Sequence, residues 1–131
     1  MMVADSEKAA AFYRDRLGFT VYVTNWSSDF NALAGTPGAQ TRRAIMTIPG
    51  TNQPWTFVET KGASRTAQAP RIPDPGASVV GLQVRDIDAA INAVKAAGGS
   101  SITQGGSIKL GSARVGFVRD PSGILVEFTQ P

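Results

Sequence analysis

The sequence predicts an α+β fold made of two copies of one unit, a strand, a helix and three strands. Three observations carry that prediction. Two amphipathic segments open on an aspartate and close on a glycine, Asp5 to Gly18 and Asp86 to Gly99, each pair of equivalent positions 81 residues apart. Each helical segment is followed by short runs of β-branched and aromatic residues bounded by turn formers. Between the two sets lies a stretch, residues 61–77, rich in Pro, Gly, Ala and Arg and without apolar periodicity. The expected organisation is therefore a module over residues 1–60, a linker over 61–77 and a second module over 78–131 of one domain.

Taken in order, residues 5–18 place Ala9, Phe12, Tyr13 and Leu17 on one helix face, with Glu7, Lys8, Arg14 and Asp15 off it. Asp5 or Ser6 caps the first amides, and Gly18 supplies the left-handed residue that closes the end. Residues 19–26 read as a strand and residues 27–40, rich in Gly, Pro, Ser and Asn, as a loop. Two further strands are expected at Arg42–Ile48 and Trp55–Thr60, with Pro49, Gly50 and Asn52 in the turn between them. In the second module, residues 79–84 read as a short buried strand. The helix of residues 86–99 then carries Ile87, Ala90, Ile91, Val94 and Ala97 on one face. A short strand at 100–103, a loop at 105–111, a strand at 112–119, a turn at 120–123 and a last strand at 124–129 complete the chain.

The inventory of 131 residues excludes much chemistry. There is no cysteine and no histidine, which removes disulfides, thiolate nucleophiles, the commonest catalytic base and the commonest metal ligand. The net charge is +3, but the basic residues are scattered and not interleaved with aromatics, so no nucleic-acid partner is expected. No apolar run reaches the roughly 20 residues of a bilayer span, and the first residues show neither a basic leader nor an apolar core, so a cytoplasmic, membrane-free protein is expected.

A helix covers only one face of a sheet, so the other face must line a cavity or find a partner. In the last strand Ile124, Val126 and Phe128 form an apolar row suited to the helix, leaving Leu125, Glu127 and Thr129 on the other side. Trp55, Phe57 and Glu59 likewise share one face of their strand. This alternation suggests that Glu59 and Glu127 are equivalent, one per module, facing one concavity with Trp55 and Phe57 in its lining. A carboxylate in an apolar cleft serves as general acid or base. Arg43 and Arg114 are the strand arginines placed to clamp an anionic ligand.

The segments DSEKAAAFYRDRLGFTV, GLQVRDIDAAINAVKAAGG and VGFVRDPSGILVEF, in this order and spacing, resemble the glyoxalase/bleomycin-resistance/dioxygenase superfamily, the vicinal oxygen chelate proteins. The resemblance implies two βαβββ modules forming a curled mixed sheet around a cleft, commonly completed across a homodimer. It also implies a divalent metal held by His or Gln near the start of each module's first strand and Glu on its last. Glu127 and Glu59 stand at the carboxylate positions, but the second module's first-strand position is Val79, and the first module's falls three residues before Met1. Either that first strand is cut short or the true start lies earlier.

Glu59 and Glu127, with Gln83 if its side chain faces inward, would make only a weak, water-rich site for a hard divalent cation. No cofactor is expected. The expected function is enclosure of a small organic ligand in an aromatic-lined cleft without a transition metal, Trp55, Phe57, Val79, Gln83, Arg43 and Arg114 being the ligand-binding set. The alternative is a lyase, isomerase or dioxygenase of the same superfamily with Glu127, and Glu59 beside it, in the catalytic role.

Overall fold

A computed structural model describes residues 1–131. The chain forms two compact units, Met1–Ala67 and Gln68–Pro131, so the expected linker is shared between them. The first unit contains helix α1 (Ser6–Leu17) and strands β1 (Thr20–Val23), β2 (Gln40–Thr47) and β3 (Pro54–Lys61). The second contains β4 (Val79–Gln83), helix α2 (Ile87–Ala96), β5 (Ser100–Ser101), β6 (Ile108–Leu110), β7 (Ala113–Arg119) and β8 (Leu125–Gln130). The strands make two sheets, β1-β2-β3 in the first unit and β4-β8-β7-β5 in the second, with β6 pairing to β7. The short strand β6 lies in the segment expected as loop; its three residues are all exposed, which left no burial alternation to read.

Both helices start as the sequence dictates. Asp5 accepts a hydrogen bond from the Lys8 amide and Asp86 from the Ala89 amide, each at 2.9 Å. The α1 end is closed by Gly18 in the left-handed region, φ 75°. In the second unit two glycines divide that work. Gly98 takes the positive φ of 96°, whereas Gly99 has no room for a side chain: a Cβ there would sit 2.5 Å from both the Arg119 carbonyl oxygen and a Val94 methyl. The expected equivalence of Gly18 and Gly99 therefore holds for the helix end as a whole and slips by one residue at the left-handed position.

The core of the first unit is aromatic. Tyr13, Phe57 and Met46 are fully buried, and the Tyr13 ring lies 4.9 Å from Trp55, 5.3 Å from Phe19 and 5.6 Å from Phe57. The second core is largely aliphatic, built from Ile87, Val94, Val118 and Val126 with the ring of Phe128 among them. The β2–β3 register pairs Ala44 with Phe57 and Met46 with Trp55, so these residues share the face that α1 covers.

The first unit has no hydrogen-bonded strand before its helix beyond a parallel bridge from Met2 to Val58. That bridge is nonetheless the counterpart of the β4–β8 pairing, which is also parallel. The Val3 amide donates to the Val58 carbonyl at 2.9 Å, and the Val84 amide donates to Thr129 at the same distance. No helix is long and apolar enough to cross a membrane.

Candidate functional site

Each sheet has a face turned toward its helix and a face turned away, and the candidate residues divide between them. Glu59 lies on the helix side. Its Oε2 accepts from the Ser6 amide at 2.9 Å, the Ser6 hydroxyl at 3.1 Å and Arg42 Nε at 2.9 Å. Arg42 also reaches Glu7 at 3.4 Å and Asp5 at 3.7 Å, tying the first turn of α1 to the sheet. Burial alone raises the Glu59 pKa, but the Ser6 donors and the Arg42 guanidinium outweigh it and hold the carboxyl below its ordinary value. This is a carboxylate kept ionised to fasten a helix, the opposite of one poised to take a proton.

The same face holds Trp55 and Phe57, packed against Tyr13 of α1. The expectation that Trp55, Phe57 and Glu59 line a cleft is therefore corrected. Alternation grouped them on one face, and that face is the core, because α1 brings Tyr13, Phe12 and Ala9, which need large apolar partners.

The structural counterpart of Glu59 is Gln130, whose Oε1 accepts from the Ile87 amide, the first of α2, at 2.9 Å. The expected equivalence of Glu59 with Glu127 is thus replaced by Glu59 with Gln130. Arg114 is also on the helix side. It forms a bidentate pair with Asp88 of α2, both contacts 2.8 Å, and donates to the Ser107 hydroxyl at 2.7 Å. Committed in this way, Arg114 stands away from the face that carries Glu127.

Glu127, Val79 and Gln83 do share a face, the one turned away from α2, since Val79 pairs with Leu125, Gly81 with Glu127 and Gln83 with Thr129. Val79 and Gln83 are exposed, and Glu127 Oε1 accepts from the Thr129 hydroxyl at 3.2 Å. These side chains supply one carboxylate, one amide and one hydrocarbon. A transition-metal centre takes about three or four donors, imidazole prominent among them. The residues on this face do not fit such a centre, and no group of three or more His, Cys, Asp or Glu side chains is brought together.

Arg43 is the remaining candidate. It lies on the β2 face turned away from α1, paired in register with Val58. There it lines an open pocket of about 420 Å³ with Thr24, Asn25, Ser27, Asp29, Phe30 and Thr41. The pocket wall is the long connection from β1 to β2, fastened at its base by reciprocal hydrogen bonds between Ser27 and Thr41 at 2.8 and 2.9 Å. Inside that connection the buried Asn31 side-chain amide donates to the Ala39 carbonyl. Thr24 fixes the strand end: its amide donates to the Arg43 carbonyl at 2.8 Å and its hydroxyl accepts from the Arg43 amide at 2.9 Å.

Apart from Arg43, sequence reasoning missed these pocket residues. The available signal was the length and polar composition of residues 27–40, a connection longer than the hairpin between β2 and β3 needs to be, and long connections commonly carry function.

Two units of a helix on a small sheet, each helix fastened through its first amide to the last strand, define an α+β protein of paired modules. A family model, the Glyoxalase/Bleomycin resistance protein/Dioxygenase superfamily, matches residues 1–128, and the chain belongs to that superfamily. A protein of Vibrio parahaemolyticus described as a probable lactoylglutathione lyase is 26% identical over 133 residues, spanning 99% of this chain and 86% of the relative. A lactoylglutathione lyase of Haemophilus influenzae is 26% identical over 130 residues, spanning 99% and 87%. Among solved structures, a glyoxalase family protein from Bacillus cereus superposes with a TM-score of 0.86 at 16% identity, over 99% of this chain and 89% of that one.

Proposed function

We propose that the protein binds a small organic anion in the pocket on the open face of its first unit, without a transition metal, and that Arg43 is the cation that holds it. The observation that carries this reading is Arg43 itself. Its side chain lines a pocket of about 420 Å³, within the usual size for small-molecule sites, and is engaged in no ion pair, whereas Arg42 beside it is tied to three carboxylates. Phe30 and Val58 offer apolar surface to the body of the ligand, and the Ser and Thr hydroxyls offer hydrogen bonds. The lack of imidazole and thiolate and the commitment of Glu59 to α1 support binding without a transition metal.

The test is calorimetric titration of chelator-treated protein with a panel of small aliphatic and aromatic carboxylates and phosphate esters. At least one should bind with micromolar affinity and lose tenfold or more in Arg43→Gln. A panel without binders, or binding indifferent to that substitution, overturns the reading.

A second reading rests on Glu127, the one carboxylate of β8, set on the face turned away from α2, together with the two lactoylglutathione lyases among the relatives. In that reading the chain is a lyase of the superfamily and Glu127 is its catalytic carboxylate. Lactoylglutathione lyase activity on adding Ni²⁺, Zn²⁺ or Mn²⁺, abolished in Glu127→Gln, would move the protein into that class. In either reading the superfamily's habit of completing clefts between chains supports a homodimer.

A further inference from the structure

The pocket of the first unit carries two opposite charges, Arg43 on β2 and Asp29 on the connection before it, and they do not pair with one another. Neither side chain has another partner: each of the ion pairs in the molecule uses other residues. The attraction between two such charges at contact in water is only on the order of 1 kcal/mol, and ordering two side chains offsets it, so both heads remain open to a ligand.

Here the backbone holds them in place. The Asp29 amide donates to the Ser27 hydroxyl at 3.1 Å, and Ser27 is locked to Thr41 by two backbone hydrogen bonds. Arg43 is fixed through its own amide and carbonyl to Thr24. The result is a cavity lined by one cationic and one anionic side chain, each carried on an anchored backbone.

We infer that the ligand of this pocket is a zwitterion of the amino-acid type, its carboxylate received by the Arg43 guanidinium and its ammonium by the Asp29 carboxylate, with its apolar side chain against Phe30 and Val58. This inference rests on the proposed binding function and narrows it. A ligand carrying both charges satisfies both residues at once, whereas a simple anion leaves Asp29 unanswered. The hydroxyls of Thr24 and Ser27 can serve either end of the ligand.

Three probes that differ by one charged group each test it: L-phenylalanine, 3-phenylpropionate and 2-phenylethylamine, titrated into wild-type protein, Arg43→Gln, Asp29→Asn and Asp29→Glu. L-phenylalanine should bind at least tenfold tighter than either single-charge analogue. Asp29→Asn should bring its affinity down to that of 3-phenylpropionate, leave 3-phenylpropionate no weaker, and be rescued in part by Asp29→Glu.

Because the Asp29 carboxylate is engaged in no ion pair, the melting temperature of Asp29→Asn should match wild type, which separates lost recognition from lost fold. If 3-phenylpropionate binds as tightly as L-phenylalanine, the zwitterion inference is wrong and the anion pocket stands. If L-phenylalanine fails to bind while anions of the wider panel do, the outcome is the same. If neither the probes nor the panel bind, the binding function itself falls with it.

Discussion

Glu59 and Gln130 occupy the same place in their units, each sending one side-chain oxygen 2.9 Å to the first amide of the helix packed on its sheet. The bond geometry is shared, and each has an arginine opposite it in register, Arg42 and Arg114, but only Glu59 is charged and paired with its arginine, Arg114 turning to Asp88 instead. The first unit is therefore fastened by a titratable group and the second by a neutral one.

Acid should loosen the first unit selectively. The Glu59 pKa is lower folded than unfolded, so its stabilisation is fully present above the ordinary glutamate value of 4.5 and is lost as pH falls from there through the folded pKa. Glu59→Gln should cost about 1 kcal/mol at pH 7 and flatten stability across that acid window, while Glu59→Ala, which leaves the Ser6 amide and Arg42 unanswered, should cost about 2 kcal/mol. Urea unfolding monitored between pH 3 and 7 measures both. A pH profile unchanged by Glu59→Gln would contradict this.

Phe57 should behave as core and not as ligand contact. Phe57→Ala should lower stability by about 3–5 kcal/mol, the usual loss for a buried ring. Denaturant titration reads it directly. A variant with wild-type stability and weakened ligand binding would restore the cleft role expected from the sequence.

The two glycines after α2 should separate by mechanism. Gly98→Ala forces a methyl-bearing residue into the left-handed region and should cost about 1–2 kcal/mol. Gly99→Ala drives a methyl into the Arg119 carbonyl and Val94, so it should cost more and shift the α2–β7 packing. Thermal melts rank the two, and amide chemical shifts around Arg119 report the displacement.

Light scattering at micromolar concentration should give about twice the chain mass of 13.7 kDa, as expected of a homodimer. A monomer at that concentration would remove the second chain from the account of the site.

The periodicity of residues 5–18 and 86–99 was enough to place both helices, because capping and apolar spacing are local properties. Alternation was also enough to group Trp55 with Phe57 and Glu59. It was not enough to say which face they occupy, since Thr56, Val58 and Thr60 opposite them are themselves compatible with either side. The size of the aromatic row was the better guide: the bulkier face goes under the helix, as Val126 and Phe128 do in β8. The pocket residues were illegible for a different reason. Asp29 and Arg43 are fourteen positions apart in the sequence, and tertiary contacts, the Ser27–Thr41 bridge and the Thr24–Arg43 hydrogen bonds, bring them to one cavity.

The fastening of each helix by its unit's last strand also sets an order of events as the chain folds. The Ser6–Glu59 bond spans 53 residues and the Ile87–Gln130 bond spans 43. Neither helix can be pinned until every strand of its own unit has been laid down, and closing loops of that length costs conformational entropy before any contact repays it. Each clasp is thus a long-range contact that local helix formation does not supply. An interruption anywhere between helix and final strand would leave a helix formed by its caps alone, with its apolar face uncovered and open to aggregation.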